Sequence, residues 1–166
     1  MLSMIYATSL SGSIGLNSGL PWPHMKADMQ WFMSKTKNKV ILMGGSTWDT
    51  LPQKLPGRIN VVLSKRELTG PDLVVKGDPF TVLDTIRSKY PGMDIVVIGG
   101  AQVYKDYYQL VEQVHVTLIQ DYYQGDTYFD MRGLMIKTFR RDYHATVPGD
   151  NNQPDLLFET YSRILH

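Results

Sequence analysis

Cysteine is absent from this 166-residue chain, which excludes disulfide frameworks, cysteine-ligated zinc, iron–sulfur clusters and thiol nucleophiles. Long apolar runs are missing too. No stretch approaches the roughly 20 apolar residues that span a bilayer, and the first residues, Met1-Leu2-Ser3-Met4-Ile5-Tyr6-Ala7, lack the basic start of a secretory leader. Neither sign of charge dominates: 17 Lys and Arg stand against 16 Asp and Glu, a formal charge of +1. The basic residues are scattered rather than gathered into the blocks that a nucleic-acid or membrane-surface partner favours. The expectation is a soluble, cytoplasmic monomer whose partner is a small molecule.

What is present suits one core. Hydrophobic residues make up 43% of the chain, enough at this length for a single domain over residues 1–166. Met4 to Thr8, Val40 to Met43, Ile59 to Leu63 and Ile95 to Ile98 are short Ile- and Val-rich runs, read as buried strands. Between them, Met25 to Lys37, Thr47 to Leu51, Pro79 to Lys89 and Ala101 to Leu110 carry helical spacing. Alternation of this kind predicts an α/β fold with a largely parallel sheet. Val114 to Gln120, Thr138 to His144 and Leu156 to Ile164 read instead as antiparallel strands closing the sheet. The turn-rich stretch Pro148-Gly149-Asp150-Asn151-Asn152-Gln153-Pro154 reads as a hairpin loop between the last two.

Asp28 is the first residue out of place. Met25, Met29, Phe32 and Met33 fall at i, i+4, i+7 and i+8, the spacing of one buried helical stripe, and Asp28 sits inside it beside Trp31 and Phe32. A first-turn acid favoured by the helix dipole is the plain explanation. The functional one is that a cationic or amidine-like ligand edge meets the carboxylate, with desolvation lifting its pKa. Upstream, Ser11-Gly12-Ser13-Ile14-Gly15-Leu16-Asn17-Ser18-Gly19-Leu20-Pro21-Trp22-Pro23 reads as a glycine-hinged loop able to close over a pocket. Ile14 and Leu20 would exclude water, and Trp22 would offer an indole N–H beside Asp28. An ordinary surface loop with an aromatic anchor would read the same way.

Two strands run into glycine pairs and then helices, at Met43-Gly44-Gly45-Ser46-Thr47 and at Ile98-Gly99-Gly100-Ala101-Gln102-Val103-Tyr104. Glycine allows close backbone approach, and a helix's first turn offers free N–H groups to phosphate. Tight strand–helix packing is the bland alternative. Neither turn matches G-x-G-x-x-G or the Walker A loop. The hydrolase motif G-x-S-x-G is absent, and His24, His115, His144 and His166 show no metal or triad spacing, so they read as neutral core or surface residues.

Taken together, Ile14-Gly15, Leu20-Pro21-Trp22, Asp28, Trp31-Phe32, Met43-Gly44, Thr47-Trp48, Leu55-Pro56-Gly57-Arg58, Ile98-Gly99-Gly100, Val103-Tyr104 and Gly125-Asp126-Thr127 with Phe129 resemble dihydrofolate reductase in order and spacing over nearly the whole chain. The resemblance implies a single α/β domain, with an eight-stranded, mostly parallel twisted sheet, an antiparallel C-terminal strand and flanking helices. It implies reduction of 7,8-dihydrofolate to tetrahydrofolate with NADPH.

By the same resemblance, Asp28 receives the pterin's 2-amino and N3 edge, braced by Thr117. Arg58 forks onto the substrate's glutamate carboxylate, and Ile5, Met29, Phe32, Leu51, Leu55 and Ile98 line the pterin and benzoyl groups. N5 takes its proton from a water near the closing loop and Asp28, which Trp22 helps to hold, and Leu20 joins Asp28 and Trp22 among the catalytic residues. Ala7 and the run Ile14, Gly15, Leu16, Asn17, Ser18, Gly19 and Leu20 would meet the nicotinamide side. Gly44, Gly45, Ser46 and Thr47, with Gly99, Gly100, Ala101, Gln102, Val103 and Tyr104, would hold the phosphates. Leu63, Ser64 and Lys65 would take the adenosine end.

The chain departs from the family pattern at Gly45, where many relatives carry Arg or Lys, and at Gln102, where some carry Arg, so two possible charges for the ribose 2′-phosphate are missing. Ser64-Lys65-Arg66 could compensate, or could be a solvated turn. Two other readings stand beside reductase activity. One is a pyrimidinone reductase of related fold, which would not need both Asp28 and Arg58; the other is a folate-binding module without turnover.

Overall fold

A computed structural model of the chain describes residues 1–135, 137–150 and 152–165; Asn151 of the hairpin loop and His166 lie outside them. The chain begins with β1 (Leu2–Ser9), β2 (Ser13–Gly15), α1 (Lys26–Thr36), β3 (Val40–Gly44) and α2 (Gly45–Thr50). It continues through β4 (Ile59–Leu63), β5 (Leu73–Val75), α3 (Pro79–Lys89), β6 (Ile95–Gly99) and α4 (Ala101–Tyr107). It closes with β7 (Gln113–Ile119), β8 (Thr127–Tyr128), α5 (Arg132–Met135), β9 (Phe139–Val147) and β10 (Leu156–Arg163).

Eight strands form one sheet in the order β5-β4-β3-β6-β1-β7-β10-β9, and β2 pairs with β8 in a separate ribbon. The pairings from β5 to β7 are parallel, while β10 runs antiparallel to both β7 and β9. This corrects the reading of Val114 to Gln120 as an antiparallel strand: β7 pairs parallel to β1 through seven residues, and the reversal belongs to β10. The α/β class and the mostly parallel eight-stranded sheet are as expected. β2, β5, β8 and α5 were not, because segments of two to four residues are too short to show a period.

Strand alternation sorts the core onto two faces. Met4, Tyr6, Val40 and Leu42 pack under α3 and α4, while Ile41 and Met43 pack on the other face against Trp48, Leu51, Leu55 and Ile98. α3 is legible from end to end. Asp78 caps it by accepting the Thr81 N–H at 3.0 Å, Pro79 opens it, Val82, Leu83 and Ile86 are buried, and Arg87 and Lys89 close it.

α1 differs from its expected packing. Of the apolar stripe, only Met25 is buried; Met29 and Met33 are 41% and 52% exposed. The helix docks through Trp31 instead, which lies against Phe158, His115 and Tyr143 of the sheet at ring distances of 4.8, 6.0 and 5.9 Å. Three rings from three strands offer more apolar area than a methionine row could claim. Met29 and Met33 are left open to a ligand or to solvent.

The chain leaves β1, builds outward through β3, β4 and β5, and then returns to insert β6 between β3 and β1. Such a switch opens a crevice at the carboxyl ends of the strands. The site lies there.

Candidate active site

Asp28 stands in the first turn of α1 above β7, where the Thr117 hydroxyl donates to its Oδ1 at 2.7 Å. Thr117 is buried and pairs with Ala7 of β1, which fixes the carboxylate over the centre of the sheet. Burial raises the Asp28 pKa, and the Thr117 hydrogen bond and the charge of His24 only partly oppose it. Among the described residues no cation pairs with it, which leaves the carboxylate open to a ligand's N–H groups.

Tyr104 closes the other side. Its hydroxyl lies 2.8 Å from the carbonyl oxygens of both Ile5 and Ile98, tying β1 to β6. Burial first, and then the negative charge of Asp28, hold this phenol protonated. Ile98 occupies a register break opposite β3, between the pairs Leu42–Val97 and Met43–Gly99.

Beside this pair opens a cavity of about 780 Å³, within the range of small-molecule and cofactor sites. Ala7, Ile14, Gly15, Ser18, Gly19 and Leu20 line one side, and Gly44, Ser46, Thr47, Gly100, Ala101, Gln102, Val103 and Tyr104 the other. Sequence reading missed Tyr6, Thr50, Asp126 and Thr127 as lining residues; Asp126 and Thr127 appeared only as part of a motif. Ile98, expected on the substrate side, lines this cavity as well. Leu16, Asn17, Gly45, Leu63, Ser64, Lys65 and Gly99 do not line it, and neither do Ile5, Asp28, Met29, Phe32, Leu51, Leu55, Arg58 or Thr117 on the Asp28 side.

Backbone conformation calls for glycine at one of the two turns, and tight packing favours it at the other. Gly99 has φ +123°, and a Cβ there would lie 3.0 Å from the Tyr104 hydroxyl oxygen; at Gly44 a Cβ would come 3.1 Å from Val103. Neither α2 nor α4 has a side-chain cap, so their first N–H groups stay free. Gly45 faces a cation across space: its missing Cβ would lie 3.7 Å from Arg66 Nη2 and 4.0 Å from Ser64 Oγ. Arg66 is therefore the cation of Ser64-Lys65-Arg66 that lies beside Gly45. Its other neighbour is Asp49, an exposed pair at 3.3 Å. Gln102 is hydrogen-bonded to Asp106 at 2.9 Å.

Asn17 and Ser18 form the turn of the loop over the cavity. Leu16 and Gly19 exchange backbone hydrogen bonds at 3.0 and 2.9 Å around Asn17 and Ser18, whose φ angles of 50° and 63° make the tight turn of a two-residue hairpin. Gly15 and Gly125 instead permit contact: a Cβ on Gly125 would come 2.5 Å from the Gly15 carbonyl oxygen. Asp126 fastens the loop, its N–H donating to Gly15 O and its Oδ2 accepting the Asn17 N–H, both at 2.9 Å.

Trp22 is the buried residue at the far end of this loop. It is 5% exposed, packed with Met25, Ile119, Leu156 and Phe158 and edge-on to Tyr123. Leu20, 56% exposed on the cavity rim, remains free to cover a ligand. Arg58 donates to Pro56 O at 3.0 Å and to Thr36 Oγ1 at 3.2 Å, which steadies the guanidinium without a carboxylate partner among the described residues. His115 is buried against Thr160, and its pKa is lowered to about 3, chiefly by desolvation, so it is a neutral core residue as read.

A family model described as dihydrofolate reductase matches residues 1–163. The chain belongs to the dihydrofolate reductase family. Similar proteins include dihydrofolate reductase type 8 of Escherichia coli, 34% identical over 147 residues covering 85% of this chain and 86% of that one. The dihydrofolate reductase of Haemophilus influenzae is 32% identical, with 76% and 77% covered. Among solved structures, dihydrofolate reductase from Enterococcus faecalis complexed with NADP(H) and RAB-propyl superposes with a TM-score of 0.86 at 25% identity, covering 98% of this chain and 96% of that one. Membership of the dihydrofolate reductase family makes the chain an NADPH-dependent oxidoreductase acting on 7,8-dihydrofolate, and it disfavours a pyrimidinone reductase or a binding module without turnover.

Proposed function

We propose that the reaction is organised by Asp28 on one side of Ile98 and Tyr104 and by the glycine-lined cavity on the other. The observation that carries this is a half-buried carboxylate with a raised pKa, held by Thr117 and without an ion-pair partner among the described residues. An amidine-like pair of N–H donors on the pterin's 2-amino and N3 edge completes it, in the two-point contact a carboxylate favours. Ile5, Met29, Phe32, Leu51 and Leu55 supply the apolar walls, and Arg58 takes the glutamate carboxylate.

The cavity fits NADPH on this chain's own geometry: two tight glycine turns and two helix starts without side-chain caps face one space. Ala7 and residues 14–20 would hold the nicotinamide side, Gly44–Thr47 and Gly99–Tyr104 the phosphates, and Leu63, Ser64, Lys65 and Arg66 the adenosine end. When bound there, the cofactor supplies a hydride to pterin C6. Asp28 orients and polarises the pterin while N5 takes its proton from water, and Leu20 limits how much water enters. The enzyme works as a cytoplasmic monomer, one domain over residues 1–166.

The experiment is substrate editing. A dihydrofolate analogue without the 2-amino group removes one donor from the Asp28 contact. Its kcat/KM is expected to change far less between wild type and Asp28→Asn than that of dihydrofolate. Equal losses for the two substrates would sink the assignment.

At the adenosine end, Arg66→Ala is expected to weaken NADPH by about tenfold while NADH changes little, since a charge-assisted hydrogen bond contributes roughly 1.5–3 kcal/mol before exposure is discounted. Lys65→Ala should do less. Competitive titration of both cofactors checks this, and equal effects on NADPH and NADH would remove Arg66 from the site.

A further inference from the structure

Tyr6 lines the cavity, yet nothing described so far uses its hydroxyl. It sits on β1 between Ile5 and Ala7 but points to the opposite face of the sheet, where its ring meets Phe129 edge-on at 5.3 Å and Tyr104 at 5.9 Å. Its hydroxyl donates to Asp130 Oδ1 at 3.1 Å and accepts the buried Met131 N–H at 3.3 Å. Asp130 Oδ1 also accepts the Arg132 N–H at 3.0 Å, and the Arg132 side chain reaches the buried Glu159 of β10 at 3.0 Å. Burial and the neighbouring Asp130 carboxylate raise the phenol's pKa, so it remains a donor through neutral pH.

The other end of the same short segment holds the loop over the cavity. Asp126 is bonded to Gly15 and Asn17, and the Phe129 N–H donates to Gly12 O at 3.1 Å. Between Asp126 and Asp130 lie only β8 and Phe129, an extended stretch with little slack. We propose that Tyr6 and Asp130 are positioning residues for the cofactor: by pinning segment 126–132 to β1, they keep the loop of residues 12–19 seated on the cavity. The inference rests on the cavity being the NADPH site.

Stopped-flow release of NADPH from the holoenzyme reads this directly. Tyr6→Phe keeps the ring but loses the hydroxyl, and is expected to speed release roughly three- to tenfold. KM for dihydrofolate should move much less. Asp126→Ala should also speed release, and because both act through one segment, the double variant should release no faster than the faster single. Asp130 is exposed, so its variants should fold. Asp130→Asn, which keeps a carbonyl acceptor, should lie between wild type and Asp130→Ala.

Release from Tyr6→Phe or Asp130→Ala at the wild-type rate would overturn the inference. So would rate effects that multiply in the double variant, or a loss of thermal stability with release unchanged. Failure of the wild-type chain to bind NADPH would instead refute the placement of the cofactor on which it rests.

Discussion

Asp28→Asn is expected to lower kcat/KM for dihydrofolate at neutral pH by roughly two to three orders of magnitude. Truncating one partner of a buried, hydrogen-bonded charge pair costs about 2–5 kcal/mol, and here the partner is the substrate itself. The side chain keeps its shape and still accepts the Thr117 hydroxyl through one oxygen, so the loss comes from the charge and from the second acceptor, which the amide replaces with a donor. Stability should go the other way. Burial raises the Asp28 pKa above its ordinary value of 3.8, so the folded chain holds this proton more tightly than the unfolded chain does. Wild type therefore loses stability as pH rises from the ordinary carboxylate value through the raised one, and carries a constant penalty above it. Asparagine has no such term. Melting temperatures of the two ligand-free proteins across this acid range should diverge in the variant's favour as pH rises, while activity at neutral pH diverges against it.

Glu159→Ala is expected to produce the largest loss of stability. Glu159 is fully buried in β10, with Arg141 at 3.0 Å, the Tyr161 hydroxyl at 2.8 Å and Arg132 at 3.0 Å. The Arg132 contact is one of charge, since Oε1 lacks an aligned hydrogen bond. Breaking a buried pair costs about 3–5 kcal/mol. The Arg132 and Arg141 side chains are 32% and 44% exposed, so water relieves part of that, and about 2–4 kcal/mol is expected. Glu159→Gln should cost less, because it retains shape and an acceptor. Urea unfolding midpoints at constant m-value test the pair; a shift worth less than about 1 kcal/mol for Glu159→Ala would show that water replaces the carboxylate.

The sequence made the parallel half of the sheet legible because strands buried on both faces write continuous Ile and Val runs, as in β3, β4 and β6. β7 alternates like an antiparallel strand, yet pairs parallel to β1 on one side and antiparallel to β10 on the other, a difference that no local pattern encodes. At the site, Asp28 could be singled out because a carboxylate among apolar residues breaks a period. The stripe around it misled, since Trp31 takes the sheet and leaves Met29 and Met33 outside. Tyr6 gave no signal at all: an aromatic residue inside a strand reads as core, and only the approach of Asp130 from 124 residues away gives its hydroxyl a partner. Arg66 was visible as a cation after a strand, but its pairing with the space above Gly45 depends on β3 and β4 lying side by side.

The most direct measurement is dihydrofolate-dependent oxidation of NADPH by the purified wild-type chain, followed by loss of the reduced nicotinamide absorbance and by isolation of the pterin product. One tetrahydrofolate should form for each NADPH consumed, with multiple turnovers per enzyme and almost none in Asp28→Asn. Tight binding of both ligands without turnover, or wild-type turnover in Asp28→Asn, would contradict the assignment of Asp28 as the residue that organises the reaction.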